Sequence, residues 1–196
     1  MAERTAGLRE RKKLQTRALI QSEALRLFTD RGYDATTCEQ IAAAAGVSPA
    51  TFFRYFPTKE DVVLQDDYDA LISASLHERP AEESPVVAVR RALASGLEAL
   101  YISDEDPIRA RTQLILSVPA LRARMYEQVR ATQQILAVEL AGRIGHAPDS
   151  LRVRAVAAAL AAALTAAVET WANEGGELPA RVDEALDALE RDLTRP

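Results

Sequence analysis

Between Gly32 and Pro57 the chain is punctuated so closely that only short helices fit, which limits the fold more than any other stretch. Gly32 closes a preceding helix as a left-handed cap. After a turn from Tyr33 to Thr36, Thr37 opens the next helix with a capping box: its hydroxyl accepts from the Gln40 amide while the Gln40 side chain reaches back. That helix, about Cys38 to Ala45, stops at Gly46. Ser48 and Pro49 then give a serine N-cap and a proline at the first helical position, where its missing N–H is not needed. The third helix ends at Phe56, before Pro57. Helix, short glycine turn, helix is the helix-turn-helix pattern.

The flanking sequence is helical too. From about Arg11 to Arg31, Ile20, Ala24, Leu27 and Phe28 recur at the spacing of one helical face. A fourth helix is expected from about Thr58 to His77, and others at about 85–102, 107–117, 119–144, 150–173 and 179–194. With 8 glycines and 9 prolines in 196 residues, and alanine abundant, breakers are scarce and no stretch alternates like a strand. The expectation is an all-α chain of about nine helices, a head over residues 1–57 and a helical body over 58–196.

Charge divides the same way. The net charge is -5, yet residues 1–60 carry ten Lys/Arg against seven Asp/Glu, leaving the remainder at -8. A basic head on an acidic body suggests that one end meets an anion, with a solvated basic tail as the alternative.

In the third helix, Phe52 and Phe56 are expected to face inward onto Leu27, Phe28, Ile41 and Val47. That leaves Pro49, Ala50, Thr51, Phe53, Arg54 and Tyr55 outward, with Ser48 at the tip. A helix end of this kind fits the major groove of DNA, about 12 Å wide, where base edges are distinguishable. Arg54 has the fork for a bidentate contact to guanine, good for about 1–3 kcal/mol of discrimination. Ala50, the Thr51 methyl and Phe53 suit thymine methyls, while Thr37, Tyr55 and Lys59 suit phosphates. Each has a packing or surface role as its alternative.

The segment GYDATTCEQIAAAAGVSPATFFRYFPTKEDVV resembles the N-terminal DNA-binding signature of the tetracycline-repressor (TetR) family of bacterial regulators, over about residues 16–63. Phe53 stands where that family usually has tyrosine, so it has no hydroxyl for a phosphate. The resemblance implies a homodimer reading a palindromic operator on double-stranded DNA, most often as a repressor relieved by a small effector. The Arg-rich arm before residue 17 has two readings, groove or phosphate contacts or a disordered tail. TFFRYFPTKEDVVLQDD together with VPALRARMYEQ is also similar to regulators of the mycofactocin type, which implies an acyl-type effector.

In the body, Val153, Val156, Leu160, Leu164, Val168 and Trp171 form an apolar stripe, and Ala155, Ala158, Ala159, Ala162, Ala163 and Ala166 leave the rest of that helix small and apolar. It is expected to be buried nearly all round. Val182, Leu186, Leu189 and Leu193 are spaced like a coiled-coil seam. Helices 150–173 and 179–194 are therefore the expected dimer interface, with closure of the monomer core as the alternative. A pocket for a small apolar or acyl-type effector is expected among Tyr68, Leu97, Tyr101, Leu114, Tyr126 and Trp171.

No catalytic constellation stands out. There are two histidines, His77 and His146, neither at metal-ligand spacing, and no phosphate loop or nucleophile elbow. No metal, cofactor or enzymatic activity is expected. Cys38, in the first turn of a short helix, would have a lowered pKa if the helix amides dominated, but with no histidine nearby in sequence it reads as structural. The longest apolar run, Ala155 to Val168, broken only by Thr165, is shorter than the ~20 residues a membrane span needs. One cysteine and a polar N-terminus point to a cytoplasmic protein with no membrane partner. The rival to a DNA reader is a helical ligand-binding or scaffolding dimer whose head does not bind DNA.

Overall fold

The computed structural model of the protein describes residues 2–65, 68–100 and 105–192, with side chains over 11–65, 72–95 and 106–191. Its elements are α1 (Ala2–Arg31), α2 (Cys38–Ala44), α3 (Pro49–Tyr55), α4 (Lys59–Leu64), α5 (Tyr68–His77), α6 (Pro85–Leu100), α7 (Glu105–Ser117), α8 (Pro119–Ile144), α9 (Leu151–Glu174) and α10 (Leu178–Asp187), then a π-helical turn at Ala188–Asp192. The fold is all-α, with no strand among the described residues. The expected helix from Thr58 to His77 is two helices, because Gln65 leaves the helical conformation at ψ 119°. The N-terminal arm continues α1 as far as Ala2, so the helix begins well before Arg11.

Two compact units result, Met1–Gln65 and Asp66–Pro196. The division falls after Gln65 rather than at Pro57, since α4 is part of the first unit's core: Val62, Val63 and Leu64 are all buried. That core also holds Ile20, Ala24, Leu27 and Phe28 from α1, Ile41 from α2, and Phe52 and Phe56 from α3. Burying each large apolar side chain is worth about 1.5–3 kcal/mol, so α3 is pinned chiefly by its two inward phenylalanines.

The second unit packs α8, α9 and α10 together, with α5, α6 and α7 against them. Leu136, Leu140, Val153, Leu160, Trp171, Val182 and Leu186 share one core cluster. Arg90 on α6 donates to Asp183 at 2.9 Å and Asp187 at 2.6 Å, tying α6 to α10. Arg143 on α8 donates to the carbonyls of Leu76, Arg79 and Pro80, satisfying the chain end of α5.

One expectation about this unit is corrected. Val182 and Leu186 are buried in the protomer's own core cluster with Leu189 packed against it, and Leu193 lies outside the described residues. Helix α9 is not buried all round. Its Val153, Leu160 and Trp171 side is covered, but Ala155, Ala159, Ala162 and Ala166 line an exposed face one helical step apart. Among the described residues α9 is the one helix long and apolar enough to cross a membrane, its most apolar 18 residues having a mean hydropathy of 1.7.

Candidate nucleic-acid interface

The first unit places α2 and α3 by side-chain caps that the sequence encodes. Thr37 accepts from the Gln40 amide at 3.3 Å and its own N–H donates to the Gln40 side chain at 3.0 Å. Gly46 takes φ 65° in the turn, a left-handed conformation that a side chain would strain. The Ser48 hydroxyl accepts from the Thr51 amide at 3.1 Å and donates to the Thr51 hydroxyl at 3.0 Å. Ser48 and Thr51 thus hold the tip in shape as well as facing outward.

On the outer side of α3, Pro49, Ala50, Phe53 and Arg54 are exposed and Thr51 and Tyr55 are half-buried. Phe53 is 43% exposed, unusual for its size, with its ring edge-on to Phe52 at 5.3 Å. The Arg54 guanidinium lies 5.6 Å from the Tyr55 ring centre, which leaves a flat cation beside an aromatic at the tip. Thr37 is exposed at the start of α2, and Arg11, Lys12 and Lys13 are exposed on α1.

Lys59, expected at a phosphate, is half-buried at the start of α4. Its Nζ donates to the carbonyls of Tyr33 at 2.9 Å and Thr36 at 3.1 Å and sits 4.1 Å from the Tyr33 ring centre. The neighbouring Glu60 accepts the Tyr33 hydroxyl at 2.9 Å, and burial with that bond raises the Tyr33 pKa well above its ordinary value. Cys38 has the character of a structural thiol: burial, reinforced by Glu39, pushes its pKa up. Gln21 was not singled out from sequence, yet its amide binds the carbonyls of Val62 and Gln65. Its polarity on the inward side of α1, next to Ile20, was the available signal.

In the second unit, the side chains of Tyr68 and Leu97 and the whole of Tyr101 lie outside the described residues. The other three expected pocket residues lie among the described side chains. Trp171 is 1% exposed in the core, with the Arg109 guanidinium 5.1 Å from its ring centre. Leu114 is half-buried on α7. Tyr126 lines an open cleft of about 330 Å³ between α7, α8 and α9, with Gln113, Leu116, Ser117, Arg122, Glu169 and Asn173. Its hydroxyl donates to Glu169 at 3.1 Å. Among the described residues no group of three or more His, Cys, Asp or Glu side chains is placed to hold a metal ion.

A short helix pair with a pinned, outward tip of this composition defines a helix-turn-helix protein of the DNA-binding type. Residues 20–65 match the bacterial regulatory proteins of the tetR family, and residues 83–194 match the MftR C-terminal domain. The chain belongs to the TetR family of bacterial transcriptional regulators. It is 34% identical to the HTH-type transcriptional regulator TcmR of Streptomyces glaucescens over 199 residues, covering 95% of this chain and 88% of that one. MftR of Mycobacterium tuberculosis is 27% identical, with 90% of each chain covered. Among solved structures, the TetR-family repressor FadR of Thermus thermophilus in complex with lauroyl-CoA superposes with a TM-score of 0.57 at 25% identity, over 92% of this chain and 96% of that one. FadR of Bacillus halodurans, at 21% identity and a TM-score of 0.64, covers 92% of this chain and 97% of its own, and shares the fold. The family is one of regulators, not enzymes.

Proposed function

We propose that the protein is an effector-responsive homodimeric repressor that reads a palindromic operator with α3. The observation that carries this reading is the outward set of Pro49, Ala50, Phe53 and Arg54 on a helix fixed from behind by the buried Phe52 and Phe56. Thr51 and Tyr55 flank it, Thr37 and Ser48 lie at the two helix starts, and the basic α1 face supplies general attraction to phosphate. Phe53 serves by packing on a thymine methyl, Arg54 by a guanine contact. Two such heads on a two-fold axis read half-sites about 34–36 Å apart, one turn of duplex.

The second copy is assigned to the exposed alanine face of α9, flanked by α10. Small side chains let two helices approach closely, and a face made of Ala155, Ala159, Ala162 and Ala166 gains from leaving water. This reading gives that face a protein partner rather than a membrane, in keeping with a cytoplasmic protein. The effector belongs in the helical body, and its class is a small apolar or acyl-type ligand. Lauroyl-CoA in the similar Thermus thermophilus FadR supports that class. Effector binding weakens operator binding, and the operator weakens effector binding by the same factor.

The test is the affinity of the purified protein for duplex DNA across a range of salt. A DNA reader loses affinity with a log-log slope of about -0.9 per phosphate neutralised. Flat, negligible binding to every duplex would favour a ligand-binding or scaffolding dimer instead.

A further inference from the structure

We infer that Arg109 and Trp171 form the polar end of a site for a carboxylate with an apolar tail; this rests on the reading above that the helical body holds an effector. Among the described residues, three buried side-chain N–H groups have no acceptor: Nε of Arg109, Nε of Arg143 and Nε1 of Trp171. Arg143 uses its other nitrogens on three carbonyls that close the end of α5. The remaining two groups belong to side chains in contact, with the Arg109 guanidinium 5.1 Å from the centre of the Trp171 ring. A buried donor left unpaired costs free energy, and two in adjoining side chains point to one shared acceptor.

Charge decides which acceptor. An arginine is always cationic, and its fork of donors matches the two oxygens of a carboxylate. The Arg109 side chain donates to the carbonyl of Gly176 at 3.0 Å, and among the described residues no carboxylate is paired with it. Gly175 and Gly176, at φ 84° and 89°, carry the turn after α9 past the guanidinium, and a Cβ on Gly175 would stand 3.5 Å from Nη1. The cation is thus held between a ring and a glycine turn, not by an anion. Trp171 belongs to the core cluster, with Ile108, Leu116 and Val168 packed partly buried against it, so the surroundings of this polar end suit a hydrocarbon tail. Arg109 is half-buried, and solvent reaches the pair from its side. An entering carboxylate gains both N–H groups as the Arg109 side chain turns, and it displaces no protein acceptor from either.

Trp171 is the chain's one tryptophan, so its fluorescence reports on the site directly. The full chain is titrated with laurate and with dodecanol, each below the concentration at which it aggregates, and binding is followed by Trp171 emission and by calorimetry. Wild type is expected to bind laurate about tenfold or more tighter than dodecanol, the scale of a charge-assisted hydrogen bond, with a change in Trp171 emission. Arg109→Met, which keeps the stem and loses the charge, is expected to bind the two equally. Trp171→Phe keeps a ring and loses the N–H; by calorimetry it is expected to bind laurate about two- to tenfold more weakly, and it carries the test should Arg109→Met fail to fold. Equal affinities in wild type, a laurate preference that survives in Arg109→Met, laurate binding that leaves Trp171 emission unchanged, or binding of neither compound overturns the inference. Operator affinity, measured alongside, separates the two claims. Laurate that binds through Arg109 without weakening operator binding sinks the effector reading and keeps the site; operator release with Trp171 emission unchanged keeps the effector reading and sinks the site.

Discussion

The side-chain amide of Gln21 donates to the carbonyl of Gln65 at 2.9 Å, and to that of Val62 at 3.2 Å, fastening the middle of α1 to the last turn of α4. Carbonyls at a helix end have no intrahelical donor, and this amide satisfies two of them. Replacing Gln21 with Leu keeps the bulk and removes both bonds. The expected cost is about 1–3 kcal/mol to the head, at roughly 0.5–1.5 kcal/mol per neutral hydrogen bond. A urea or thermal melt followed by head-specific hydrogen exchange checks this; an unchanged head would mean the bonds contribute nothing net.

Arg54 carries the sharpest specificity claim. Arg54→Ala should relax preference at one symmetric pair of operator positions, by about 1–3 kcal/mol, while leaving other positions as they were. Binding to operators substituted one base pair at a time measures it. Uniform weakening across all of them, with a salt slope reduced by about one, would assign Arg54 to phosphate.

Glu83 sets a pH dependence in the body. Its carboxylate accepts from Arg79, the larger influence, and from Arg91, and its pKa is lowered to about 2. A depressed folded-state pKa adds stability that is fully present above the unfolded carboxylate value, about 4.3, and is lost as pH falls toward the folded one. The stability difference between wild type and Glu83→Gln should therefore be constant from neutral pH down to about 5 and shrink below about 4.3. Denaturant midpoints at a series of pH values check it. A difference that grows on acidification would contradict the assignment.

The alanine face of α9 gives the assembly prediction. Ala162→Glu puts a charge at the centre of the exposed stripe on a residue type that tolerates helix well. The variant should sediment as a single chain with unchanged helix content, and lose operator affinity because the two heads are no longer joined. Dimers of unchanged affinity would place the interface elsewhere.

Local signals made the head legible in the sequence. The Thr37 and Gln40 capping box, the Ser48 cap before Pro49, the turn glycine and the inward pair Phe52 and Phe56 all act within a few residues, and all lie where spacing put them. What was missed depends on contacts distant in the chain. The break at Gln65 has no glycine or proline to announce it, and the Gln21 and Lys59 bonds span 44 and 26 residues. The exposed face of α9 was misjudged for a related reason. Periodicity shows that a helix has an apolar side but not which neighbour covers it, and Ala155, Ala159, Ala162 and Ala166 are left uncovered in the protomer.

Selection of bound duplexes from a random pool with the purified protein tests the central claim most directly. The account predicts enrichment of one palindrome with half-sites about a helical turn apart, and its loss when Phe53 and Arg54 are both changed to Ala. A pool that stays random, or one enriched equally by that double variant, would contradict the assignment of α3 as the reading helix.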